Sequence, residues 1–338
     1  IAESSNSSSL RSLSSFKGLS SLKSIGGDFE VNAKSSYSSS SLDALESFEG
    51  LESLEIIGGN FKVIAESSNS SSLRSLSSFK GLSGLKSIGG DFEVNAKSFY
   101  SSSLDALESF EGLSGLKSIG GDFEVNAKSF SYSSSLDALA SFEGLESLET
   151  IGGNFKVIGF SLESLSSFKG LSGLKSIGGD FEVGNLNSLE SFEGLESLET
   201  IGGNFKVIAE SSLFSLNSLA SFKGLSGLKS IGGDFEVNAK SSSSLNSLAS
   251  FEGLENLTNI GGGKLTISNC KSLNNIDILK NIESLNDISI TECSKLYDFC
   301  VLKNVVQNMS GTFYLNKNGY NPTKYQLLNG ECSQIPQE

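Results

Sequence analysis

SIGGDFEV, residues 24–31, decides the fold, because the rest of the chain copies it, varies it, or marks where copying stops. Its isoleucine returns as Ile57, Ile88, Ile119, Ile151, Ile177, Ile201, Ile231 and Ile260. Two glycines follow each one and, almost every time, Asp or Asn, then Phe, a charge and Val. Recurrence at this fidelity is an internal repeat, and a repeating chain is read as stacked coils before anything else.

The shortest unit runs from Phe168 to Phe192, with apolar residues at Phe168, Leu171, Leu174, Ile177, Phe181, Val183, Leu186 and Leu189. A spacing of mostly three, broken by Gly170 and the Gly178-Gly179 pair, suits a coil that turns corners instead of a 3.6-period helix. The glycines are expected to supply backbone angles that other residues avoid. Alternation at Phe181 and Val183 predicts a strand with Asp180 and Glu182 outward, and DFEVNAK (28–34) extends it in the longer copies. A buried apolar side chain returns about 1.5–3 kcal/mol and a fixed backbone costs about 1–2 kcal/mol. With three residues fixed per side chain buried, a lone coil should not fold, so neighbours must share one core.

Stacking puts like residues in columns. One predicted column is Phe16, Phe48, Phe79, Phe110, Phe142, Phe168, Phe192, Phe222 and Phe251. The other is Phe29, Phe61, Phe92, Phe123, Phe155, Phe181, Phe205 and Phe235, with Leu265 in the last coil. Outside, SFKGL…LKSIGGDFEV alternates with SFEGL…LETIGGNFKV. The outward strand column therefore reads Glu30, Lys62, Glu93, Glu124, Lys156, Glu182, Lys206, Glu236, Lys264. A second row follows Lys17, Glu49, Lys80, Glu111, Glu143, Lys169, Glu193, Lys223, Glu252, and a third Lys34, Glu66, Lys97. Parallel strands lie about 4.8 Å apart, so in the strand column opposite charges meet, except where Glu93 neighbours Glu124. Slipping by one coil sets like against like, which makes the ladder a register device; a ligand-binding charge stripe is the alternative.

Serine-rich loops such as 35–41 and 67–72 interrupt coils whose length is otherwise constant, as excursions at one corner of a solenoid do. They are expected to align as a hydroxyl-rich edge, either polar filler or a sugar-decorated ridge. Sequons at Asn6, Asn69, Asn256 and Asn308 support decoration. The 25 basic and 39 acidic residues give a net charge of −14, which disfavours nucleic acid as a partner. No run is long and apolar enough to span a bilayer, so direct membrane insertion of this segment is not expected. Residues 1–20 recur unchanged at 64–83 after GGNFKV, so Ile1 is expected to lie mid-coil. The solenoid is read as 1–267, with degenerate coils and a cap over 268–338.

All four cysteines, Cys270, Cys293, Cys300 and Cys332, lie in that degenerate end. An even count predicts two disulfides closing the cap and an extracellular or cell-surface location. Any of three pairings fits the sequence. Zinc is the weaker alternative, since no C-x-x-C pair and no histidine is present. VLKNVVQNM (301–309) is a candidate capping helix.

The pattern L-x-x-L-x-x-I-G-G-x-F-x-V followed by S-L-x-S-L, as in 168–189, resembles the receptor L-domain branch of leucine-rich-repeat proteins, over residues 10 to about 296. The resemblance implies a right-handed, β-helix-like parallel solenoid of the kind found in receptor ectodomains and cell-surface proteins. Departures are Phe where that family usually carries Leu, more coils, the serine loops, and near-identity between copies.

The fold expected is thus all-β, a parallel β-solenoid with a disulfide-bonded C-terminal cap. No catalytic constellation, metal set or cofactor motif is found, so an enzyme is disfavoured. The expected function is a non-enzymatic extracellular structural or adhesive repeat protein, a rod or fibre protomer associating end to end or with upstream coils. The alternative is a ligand-binding ectodomain that meets glycans or cell-surface proteins.

Overall fold

A computed structural model describes residues 2–4, 12–35, 42–67, 72–98, 103–129, 135–160, 162–210, 215–241 and 245–334. The serine runs at 36–41 and 68–71, and with them Asn6 and Asn69, lie outside the described residues. The chain forms two compact units, Ile1–Gly178 and Gly179–Glu338. Each is a parallel β-solenoid.

In Ile1–Gly178 the long strands Phe29–Ser35, Phe61–Ser67, Phe92–Ser98, Phe123–Ser129 and Phe155–Gly159 pair in sequence order, with Ala2–Ser4 against the first. The short strands Ser24–Ile25, Ile56–Ile57, Ser87–Ile88, Ser118–Ile119, Thr150–Ile151 and Ser176–Ile177 make a second parallel sheet. In Gly179–Glu338 the long strands are Phe181–Gly184, Phe205–Ala209, Phe235–Ala239, Lys264–Ser268, Asp287–Thr291 and Phe313–Asn316. Thr200–Ile201, Ser230–Ile231 and Asn259–Ile260 are their short counterparts. Within each unit the regular coils pair in register, Phe on Phe and Val on Val, as at Phe61↔Phe92 and Val63↔Val94.

Register carries the predicted Phe columns. Phe61 sits 5.3 Å from Phe92, and Phe92 5.2 Å from Phe123. The other pile runs Phe48–Phe79–Phe110 at 5.5 and 5.4 Å, with tilted contacts joining the two, as between Phe79 and Phe92. In the second unit Phe181, Phe205 and Phe235 repeat the pattern at 5.1 and 5.0 Å. These rings are buried, and each offset contact adds about 0.5–1.5 kcal/mol to its area term.

The glycine pairs work differently from the expectation. Neither glycine of a pair such as Gly89-Gly90 takes a left-handed angle; within the regular coils the left-handed glycines are those of the K/E-G turn, such as Gly112 at φ +110°. A Cβ on Gly89 would strike the Gly58 carbonyl, and one on Gly90 would strike the Asn60 side chain. The pair is small so that successive backbones can lie in contact.

Two differences from the sequence reading concern the end of the chain. Phe235 pairs with Leu265, and Glu236 with Thr266, so Lys264 does not continue the column after Glu236. The extra Gly263, at φ +74°, shifts the frame by one residue, and Lys264 instead stands opposite Asp287. The tail also holds a further rung that its sequence hides: Phe313 and Leu315 pair with Ile288 and Ile290. A 3-10 turn at Cys300–Leu302 leads into the helix Lys303–Gln307, inside the stretch read as helical. A second helix, Lys324–Leu328, carries a capping box between Thr323 and Gln326.

Candidate functional site

The sequence placed its candidate residues on the outward face of the long strands, and the alternating pleat explains why they gather there. Phe92, Val94 and Ala96 are buried while Glu93, Asn95 and Lys97 face out. Register sets Glu30 opposite Lys62, Lys62 opposite Glu93, Lys156 opposite Glu124, and Lys206 between Glu182 and Glu236.

Adjacency in register is not the same as an ion pair. Lys62 Nζ reaches Glu93 Oε2 at 2.9 Å, and that hydrogen bond, opposed by partial burial, holds its ammonium above the ordinary lysine range. Glu30 instead accepts from Asn32 Nδ2 at 2.6 Å. Glu93, Glu124 and Glu236 are braced likewise by Asn95, Asn126 and Asn238. Lys206 bends away from both glutamates to Asp180 Oδ2, at 2.8 Å. Burial works against the Asp180 anion, but bonds from Lys206 and Asn204 outweigh it and lower its carboxyl. The unit of the face is therefore a coupled choice, Glu-x-Asn or Lys-x-Ile. The sequence reading treated the column alone, although positions 30/32, 62/64, 93/95 and 206/208 carry the signal.

The second row forms pairs at Lys17–Glu49, Lys80–Glu111 and Lys169–Glu143, at 3.3, 3.8 and 2.7 Å, and the third at Lys34–Glu66, 3.9 Å. A fourth row was missed: Lys86–Glu55, Lys175–Glu149 and Lys229–Glu199 lie at 2.5, 2.7 and 2.9 Å. Its signal was the LKS/LET alternation. The bond from Lys86 holds Glu55 below the usual carboxylate range, and Lys175 does the same to Glu149.

A line of Asx side chains also went unread. Asp28 Oδ1 accepts from the Asn60 backbone N–H at 2.7 Å, Asn60 from Asp91 at 2.7 Å, Asp91 from Asp122 at 2.9 Å, and Asp122 from Asn154 at 2.7 Å. The second unit repeats this from Asp180 to Asn204 and from Asn204 to Asp234, at 2.7 and 2.8 Å. Each link satisfies a backbone donor of the next coil across the gap left by the second glycine.

Alternation fails at one place. Glu93 faces Glu124 and Lys97 faces Lys128, because the coil around 110–129 opens as SFEGL but continues as LKSIGGDFEV. The same coil contributes Glu111 to an open groove of 540 Å³ along the turn row, lined by Lys80, Glu111, Glu143 and Glu146 with Gly81, Gly112 and Gly144. No group of three or more His, Cys, Asp or Glu is placed to hold a metal among the described residues. Comparison with protein-family models, curated proteins and solved structures finds no match to this chain.

At the C-terminal end Cys300 and Cys332 are bonded, with Cα atoms 4.8 Å apart. The second expected disulfide, between Cys270 and Cys293, is not formed in this structure: both stand as buried thiols. They occupy the core column held by Leu186, Leu216 and Leu245 in earlier coils of this unit, where side chains pack inward. Of the sequons, Asn256 is exposed but its amide donates to Ser226 O at 2.7 Å. Asn308 is exposed at the end of the helix Lys303–Gln307.

Proposed function

We propose that the chain is a non-enzymatic structural or adhesive repeat protein of the cell exterior, its coils reiterated to build a rod or fibre-forming protomer related to the L-domain branch of leucine-rich repeats. The observation that carries this reading is the self-sufficiency of the outward face. Its charges are spent within the chain, on neighbouring coils in the pairs Lys62–Glu93, Lys86–Glu55 and Lys229–Glu199 and on the asparagine of the same strand at Glu30, Glu124 and Glu236, and near-identical coils vary nothing a ligand would select. Length is then what the repetition provides. The Cys300–Cys332 bridge fits an oxidising compartment. Glycans belong to the proposal at Asn308 and along the serine edge.

Light scattering across a concentration series, together with electron microscopy and intact mass of native material, tests this. Extended particles or filaments, heavier than the 35.6 kDa sequence, are expected. Compact monomers at every concentration with unmodified mass overturn it.

A ligand-binding ectodomain is the second reading. The groove along Gly81, Gly112 and Gly144 favours it, because there Glu111 and Glu143 adjoin without an intervening lysine. Saturable binding of a cationic or polyhydroxylated ligand that Glu143→Lys abolishes would favour it over the structural role.

A further inference from the structure

Cys270 and Cys293 have equal backbone settings in successive coils. Ser268 pairs with Thr291 in register, and the next residues, Asn269 and Glu292, both turn left-handed at φ 59°. Each cysteine then opens the same turn, with Leu273 N–H donating to Cys270 O and Leu296 N–H to Cys293 O. In-register rungs of a parallel sheet stand about 4.8 Å apart, inside the roughly 4.4–6.8 Å between Cα atoms that a disulfide spans. Both thiols are fully buried and meet each other; that hydrogen bond, then burial, pushes Cys270 well above the ordinary thiol range, while accepting it lowers Cys293. Two adjacent leucine slots filled by two cysteines bring the thiols together, and the only other acceptors they reach among the described residues are backbone carbonyls two residues back, Ser268 O at 3.6 Å from Cys270 Sγ and Thr291 O at 3.4 Å from Cys293 Sγ.

We propose that Cys270 and Cys293 are a covalent cross-linking site, closing as a second disulfide that staples the last regular coils beneath the cap. The two thiols lose two protons and two electrons as one S–S bond forms. The acceptor is a low-molecular-weight disulfide, whose own S–S bond breaks to give two thiols. Because neither sulfur is accessible in the folded chain, exchange occurs before these coils close. The order of later reduction follows: Cys332 is 7% exposed and Cys300 half-buried, so the outer bridge opens first and the inner one is protected.

Trypsin separates the four cysteines into peptides 265–271, 281–295, 296–303 and 325–338, so pairing is readable. The full chain is refolded in a mixture of reduced and oxidised glutathione, alkylated in denaturant, and mapped without reduction. The expected result is 265–271 linked to 281–295 and 296–303 linked to 325–338, with no alkylated cysteine. Alkylated Cys270 and Cys293, or any crossed pairing, overturns the proposal. Brief phosphine treatment of the folded, oxidised protein should then release thiols at Cys300 and Cys332 alone. Release at Cys270 and Cys293 first contradicts the burial argument.

Discussion

Gly112→Ala should be among the most damaging single-methyl additions in this protein. The added Cβ would stand closer than 3.0 Å to Phe79 O, Phe79 C and Lys80 N of the previous coil, at a φ of +110° that L side chains rarely adopt. Backbone strain costs about 1–3 kcal/mol. Relieving the clash pulls the coils apart where Phe79 N–H donates to Glu111 O at 2.8 Å, and each inter-coil bond lost adds about 0.5–1.5 kcal/mol. A destabilisation of roughly 1.5–4.5 kcal/mol follows. Gly18→Ala is the control: a Cβ there meets nothing within 4 Å, so the restricted unfolded chain should make it neutral or stabilising by about 0.4–1 kcal/mol. Urea unfolding measures both. Solenoids need not unfold in one step, so hydrogen exchange at 79–129 supplies the local reading. Equal effects of the two substitutions, within about 0.5 kcal/mol, would refute the claim that backbone contact fixes the coil spacing.

Other consequences test other columns. Phe92→Ala removes a buried ring between Phe61 and Phe123 and should cost about 3–5 kcal/mol, whereas the exposed Lys17→Ala should cost under about 1 kcal/mol; chemical denaturation compares them. Asp122→Ala strips the acceptor of the Asn154 N–H and should cost about 1–3 kcal/mol, with Asp122→Asn restoring most of it because the amide oxygen serves as Asn60 does toward Asp91. Glu55, Glu149 and Asp180 titrate below their ordinary 4.5 and 3.8 in the folded chain. Their contribution is therefore present above those values and lost as pH falls through the lower folded ones. Lys62 and Lys206 titrate above 10.5, so their contribution is present below it and lost as pH rises beyond. Urea midpoints against pH should show a plateau between these limits, with 1 M salt lowering it.

The long-range order of this chain was legible because repetition wrote it many times. Phe48, Phe79 and Phe110 recur in the same frame, and only a stack in register uses that. What escaped was whatever depended on one residue or on a pair. Gly263 is a single insertion: placing Leu265 in the Phe column already sets Thr266 opposite Glu236, whereas counting from the isoleucine and glycines lands that column one residue early, on Lys264. The rung Phe313–Asn316 has lost the isoleucine and the first glycine that flagged the others, keeping Gly311 and an alternation of two apolar residues. Asp and Asn after the glycine pair looked like a surface choice, since what binds them is a backbone N–H one coil away, which no side-chain pattern records. Cysteine count pointed to disulfides in the degenerate end but left open which cysteines pair, so neither the Cys300–Cys332 bridge nor the setting of Cys270, whose neighbours in space lie a full coil apart in sequence, was fixed by it.

The central claim is in-register stacking of successive coils, and paired cysteines test it most directly. Lys62→Cys with Glu93→Cys joins residues that stand opposite each other, within the roughly 4.4–6.8 Å that a disulfide spans. Lys62→Cys with Lys97→Cys is displaced by four residues along the strand, more than about 10 Å. Oxidation of the folded protein, followed by non-reducing mapping, should cross-link the first pair and leave the second as thiols. Equal cross-linking of both, or failure of the first alone, would contradict the stack.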